Sequence, residues 1–190
     1  MEFIYVAIKT PQSRWIPFGS AKIIFKTDDD KIHTNEVWPC IAIASFSPLR
    51  DQEVSGTLSH LNPANEKAVE NFRSFLYSAE LPKDNTSFAL IGGIDAESGY
   101  TAPTSFHNSQ GLVSAIKMTL HDAGFAPPDF EELYGQHRRT VTLRGSGLIT
   151  VTDTMDKEYS VCGSLNPQKS PENLLYQSNH QQLDSDYRGR

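Results

Sequence analysis

At 190 residues, with 38% hydrophobic and 21% charged side chains, the chain is long enough to bury a full core and has the make-up of an ordinary globular domain. A net charge of −6 with no Lys/Arg cluster to reverse it excludes the electrostatic footprint of a nucleic-acid or anionic-membrane binder. No stretch approaches the ~20 apolar residues of a membrane span. No Cys-x-x-Cys or His-x-x-x-His spacing occurs, so no metal and no cofactor is expected.

The N-terminus lacks the basic region of a signal peptide, and its short apolar run, Phe3–Ile8, reads as a first strand. A cytoplasmic location is expected, with signal-free secretion left open. A second strand is predicted at Ala21–Lys26. Two apolar runs, Cys40–Phe46 and Val54–Leu61, flank a polar connection from Ser47 to Glu53 and predict adjacent antiparallel strands. From Ala64 to Ala79, the residues Ala68, Phe72, Phe75, Leu76 and Ala79 share one helical face, and Asn62-Pro63 supplies a start. Ser87–Ile94 is strand-like and ends in Gly92-Gly93, followed by a long polar loop from Asp95 to Asn108. A second amphipathic helix is predicted over Ser109–Ala123, with Asn108 as cap, a Leu112/Val113/Ile116/Leu120 stripe and Gly124 as stop. Thr140–Arg144 and Leu148–Thr152 then form a hairpin. The second cysteine, Cys162, sits in a short Tyr159–Cys162 strand with no positioned partner and reads as structural. Beyond Gly163 the chain is rich in Asn, Gln, Ser, Pro and Asp and too poor in apolar residues to offset its ordering entropy. The organisation expected is one domain over 1–163 and a polar, mobile tail over 164–190. The class expected is α+β, with mostly antiparallel β-sheets and two long amphipathic helices.

Cys40 and His60 carry the chemistry. Paired strands would bring a thiol beside an imidazole, the minimum for a thiolate nucleophile with its own general base. A free thiol at pKa about 8.5 needs such a partner at neutral pH, so Cys40 is expected to alkylate faster than Cys162 near pH 6.5. A third group must hold the imidazole in one tautomer. Thr34, six residues before Cys40, is the candidate, through its hydroxyl or its carbonyl. Trp38, two residues before Cys40, is a candidate for contact with substrate, and so are Gly92 and Gly93, whose lack of side chains would let a loop approach the site. Gly56 is also read as flanking Cys40. His33, adjacent to Thr34, is expected in an exposed loop, and His107 and His121 near helix ends as surface residues.

The order of landmarks resembles the bacterial chemoreceptor glutamine deamidases, the CheD family. It comprises Thr34-x5-Cys40, an apolar strand, Gly56-x3-His60 with Pro63 after it, the strand ending in Gly92-Gly93, His107-Asn108 before a helix closing Asp122-Ala123-Gly124-Phe125, and Gly135-Gln136-His137-Arg138-Arg139-Thr140 before a hairpin. The resemblance spans roughly Lys22 to Thr152, and the cytotoxic necrotizing factor catalytic domains are similar at greater distance. It implies a CheD-like fold in which Cys40 attacks the side-chain carboxamide of a protein glutamine, His60 is base and acid, and Thr34 orients it. A thioester forms, ammonia leaves, and water yields glutamate. The implied partners are a protein carrying a surface glutamine, a chemoreceptor or another, and a signalling adaptor. This chain departs from the family at Val37-Trp38-Pro39-Cys40, where the family has Leu-Gly-Ser-Cys, at His107, which replaces an arginine, and at Gly135, all that remains of a Gly-Gly. Two alternatives stand beside this reading: a catalytically weak binding module for a signalling partner, and an amidase acting on a small molecule.

Overall fold

The computed structural model describes residues 11–49, 53–134, 137–153 and 161–166. The strand expected at Phe3–Ile8 and almost all of the C-terminal tail lie outside them. The fold is a mixed α/β arrangement of two helices and two mixed sheets whose strands are mostly antiparallel.

One sheet is built on β4 (Ile41–Pro48) and β5 (Val54–Leu61), the two runs that flank Ser47–Glu53 in the sequence. They pair antiparallel from Ile41 opposite Leu61 to Pro48 opposite Val54. β2 (Gly19–Phe25) lies outside β5, while β6 (Ser87–Gly92) and then β7 (Phe130–Leu133) extend the other side. The second sheet runs β1 (Ser13–Trp15), β3 (Lys31–Thr34), β8 (Arg139–Arg144), β9 (Leu148–Asp153) and β10 (Val161–Ser164). β1 with β3 and β6 with β7 are the parallel pairs.

Alternation along β4 explains the layers. Ala42, Ala44 and Phe46 face the second sheet and share a core with Ile32, Val141, Leu143 and Val151. Ile41 and Ile43 face the other way, into a core with α1 (Ala68–Ser78) and α2 (Ser109–Asp122). The central strand is therefore buried on both faces, in keeping with its largely apolar run, and its Ser45 hydroxyl is paired with Thr57 at 2.6 Å.

Several boundaries differ from expectation for local reasons. α1 begins at Ala68, not Ala64, because Asn62 and Asn65 turn their side-chain oxygens onto the N–H groups of Ala64 (2.8 Å) and Lys67 (3.0 Å). These are Asx turns, which compete with helix. α2 starts as expected, with the Asn108 side chain accepting from Gly111 N–H at 2.9 Å. β1, β3 and β7 were not expected; each has three or four residues, too few for a period to show. The folded unit also passes the 163 boundary, since Leu165 is buried and its N–H reaches the Gly147 carbonyl at 2.9 Å.

Candidate active site at the end of the two-sheet interface

His60 stands on β5 opposite Ala42 and faces the second sheet. Cys40 immediately precedes β4, two residues before Ala42, and strand alternation carried back from Ala42 would put it on that same face. The Cys40 carbonyl accepts from Gly93 N–H at 2.7 Å, which ties the residue to the end of β6. Thr34 arrives from the opposed sheet as the last residue of β3, wholly buried. Thr34 and His60 thus meet where the sheets face one another, and Cys40 stands just before β4, which pairs with β5.

Their hydrogen bonds fix the imidazole. The Thr34 hydroxyl donates to the Ile16 carbonyl at 2.6 Å and lies 2.7 Å from His60 Nδ1. A hydroxyl has one proton, so toward His60 this oxygen accepts, and Nδ1 carries the ring proton. Nε2 is left with its lone pair, and among the described residues it is buried with no partner. The contact with His60 runs through the threonine hydroxyl, not its carbonyl. Phe18 covers the ring, with centroids 4.6 Å apart.

The resting charge state differs from the sequence expectation. Burial pushes the Cys40 thiol up to about 11, with Glu36 adding to the rise against the N–H groups of Cys40 and Trp38, which would stabilise a thiolate. Burial likewise lowers His60 to about 4, against the Pro17 carbonyl and the Glu36 carboxylate. No hydrogen bond joins Cys40 to His60 among the described residues. The rest state is a neutral thiol near a neutral imidazole, and rapid alkylation at pH 6.5 is not what this geometry favours, because the thiol is only 4% exposed.

The segment that carries Cys40 is clamped from behind. Ser109, the first residue of α2, donates to the Pro39 carbonyl at 2.8 Å and accepts from Ile94 N–H at 3.0 Å. Gly92 and Gly93 lie buried beneath it at φ of 108° and 79°. A β-carbon at Gly92 would stand 2.5 Å from the Cys40 carbonyl oxygen. These glycines, expected at the substrate, let backbone close on backbone at Cys40. Gly92→Ala is accordingly expected to cost at least about 3 kcal/mol, read from urea unfolding, because neither the φ nor the contact can relax without moving Cys40. Near-wild-type stability would show that the segment gives way freely.

Other expectations change place. Gly56 does not flank Cys40: it pairs with Phe46, six residues or roughly 20 Å further along the strand, where it makes room for the Phe25 ring. His33 is half-buried on β3, not in a loop. Trp38 is half-buried, and its indole N–H is buried with no partner among the described residues. The Asp95–Asn108 loop is tied down, with Ser105 N–H on the Glu66 carboxylate at 3.2 Å and Ala102 buried. From that loop Tyr100, held above its usual range by burial, comes close enough to Cys40 for a thiolate there to oppose its ionisation.

Sequence reading missed the Ile16 carbonyl, Ser109 and Glu36. Glu36 sits at a positive φ of 58°, pairs with Arg138 at 3.2 Å, and its charge is felt by both Cys40 and His60. A single glutamate gives no signal of that in sequence. Among the described residues no group of three His, Cys, Asp or Glu could hold a metal, and no helix is long and apolar enough to cross a membrane. No protein-family model matches the chain, and no curated protein matches it.

Proposed function

We propose that this chain is a CheD-like protein-glutamine deamidase that uses Cys40 as nucleophile, His60 as general base and acid, and Thr34 as the residue that orients His60. One observation carries the reading: Thr34 holds the His60 proton on Nδ1 at 2.7 Å and so leaves a buried Nε2 lone pair with no partner among the described residues, on the strand that pairs with β4, whose first residue follows Cys40. A buried polar atom without a partner costs free energy, and a role as proton acceptor is a reason for a fold to keep one.

In the proposed reaction the Cys40 sulfur attacks the carboxamide carbon of a glutamine side chain as its proton passes to Nε2. The proton then goes to the amide nitrogen, the C–N bond breaks and ammonia leaves a thioester. Water, deprotonated by Nε2, attacks the thioester; the carboxylate departs and Cys40 recovers its proton. Neutral partners suit this sequence, because the proton moves with the attack and no standing ion pair is needed. Pro39 offers no N–H, so the Cys40 N–H is the local backbone donor for the developing oxyanion.

The depth of Cys40 favours a second reading, a binding module in which the altered Val37–Cys40 segment no longer supports turnover. Wild type and Cys40→Ser incubated with a bacterial lysate separate the two. Under the deamidase reading, peptide mass spectrometry finds Gln-to-Glu conversions only with wild type. Identical peptide profiles with both proteins would rule out turnover in that lysate and favour the binding module.

A further inference from the structure

A groove of about 380 Å³ opens between the start of β2 and α1, and His60 is among the residues that line it. Phe18 and Phe75 supply aromatic surface, and Asn62, Asn65 and Asn71 supply carboxamides. Among the described residues no Asp, Glu, Lys or Arg lines it. His60 does not add a charge either, since burial holds it neutral down to about pH 4.

The amides are pre-set. Asn62 and Asn65 spend their side-chain oxygens on the N–H groups of Ala64 and Lys67, which fixes both planes. Their Nδ2 groups remain as donors, with no acceptor among the described residues. A groove that offers fixed N–H donors, aromatic walls and no charge complements a ligand rich in uncharged acceptors. A polypeptide backbone is such a ligand: its carbonyls repeat along the chain, and its small or apolar side chains can lie on phenyl rings.

Resting on the deamidase reading, we propose that this groove binds the extended segment that flanks the target glutamine, with backbone carbonyls accepting from Asn62 and Asn65 and uncharged side chains against Phe18 and Phe75. His60 is common to the groove and the site, and Phe18, which covers its ring at 4.6 Å, lines the groove as well, so a segment seated there would lie beside the candidate site.

The test uses Cys40→Ala protein, which cannot turn over, and fluorescein-labelled twelve-residue peptides with one central glutamine, flanked by Ala, Ser, Val and Gly or by Lys and Glu. Anisotropy is expected to show saturable binding of the uncharged set and much weaker binding of the charged set. Adding Asn62→Asp and Asn65→Asp keeps the oxygen that makes each Asx turn and removes the N–H donors. The double substitution is expected to raise Kd at least about tenfold with an unchanged Tm, and in the Cys40 protein to raise KM with little change in kcat. Unchanged Kd in the Asp variant, or no saturable binding of any peptide, overturns the groove assignment; if Cys40-dependent conversion persists, the deamidase reading stands without it. Binding that depends on both asparagines, with no conversion of the bound peptides by the Cys40 protein, leaves the groove in place and removes the deamidase reading.

Discussion

His60→Gln is expected to lower turnover of a protein-glutamine substrate by about 10²–10⁴-fold, the usual worth of a positioned acid–base group, with the fold retained. Gln keeps a polar atom near Thr34 but has no lone-pair nitrogen to take the Cys40 proton. Thr34→Val should act differently. It preserves shape in a wholly buried position but removes the donor to the Ile16 carbonyl and the acceptor for Nδ1–H. Two buried groups are then left unpaired, at about 1–3 kcal/mol each, and the ring is free to exchange tautomers. Turnover should fall together with stability, and Thr34→Ser should restore both, since the hydroxyl is the part that matters. Ammonia release in a coupled assay, beside urea denaturation, measures the pair. A His60→Gln protein that works within a few-fold of wild type would sink the acid–base assignment. A Thr34→Val protein of full activity would remove the tautomer argument.

How much of this was legible in sequence follows from distance along the chain. The β4–β5 hairpin was readable because its apolar runs are long and its connection short, and that placed Cys40 and His60 on neighbouring strands. The contact between Thr34 and His60 crosses from one sheet to the other, and nothing in a spacing of six residues to Cys40 encodes the packing of β3 on β5. β3 itself alternates half-buried and buried through Lys31–Thr34, yet four residues are too few to separate from chance. Burial was the other illegible quantity. Sequence supplies a thiol and an imidazole and suggests an ion pair, whereas the enclosed position at the sheet interface makes both neutral. Ser109 and the paired glycines show the same limit: a helix N-terminus and a Gly-Gly end were visible, but not that both brace the segment carrying Cys40.

That neutral pair should set the pH range of the fold. His60 has a folded value near 4 against about 6.5 when unfolded, so between those values the unfolded chain binds more protons. Its contribution, about 3 kcal/mol, is fully present above pH 6.5 and is lost as pH falls toward 4. His33, also lowered by burial and by Lys31, acts in the same direction. Cys40 has the opposite sign: a folded value near 11 against about 9 unfolded makes its contribution complete below pH 9 and lost as pH rises toward 11. Unfolding free energy measured by urea at closely spaced pH values should therefore be flat between about 7 and 9 and fall on both sides. His60→Asn should flatten much of the acid limb, and Cys40→Ala the alkaline one. Iodoacetamide gives an independent reading, since only thiolate reacts: alkylation of Cys40 should rise about tenfold per pH unit through pH 9 with no plateau near neutrality. A plateau reached by pH 7 would mean a standing thiolate–imidazolium pair. The proton would then leave Cys40 before substrate arrives, and His60 would enter the reaction as an acid instead of a base.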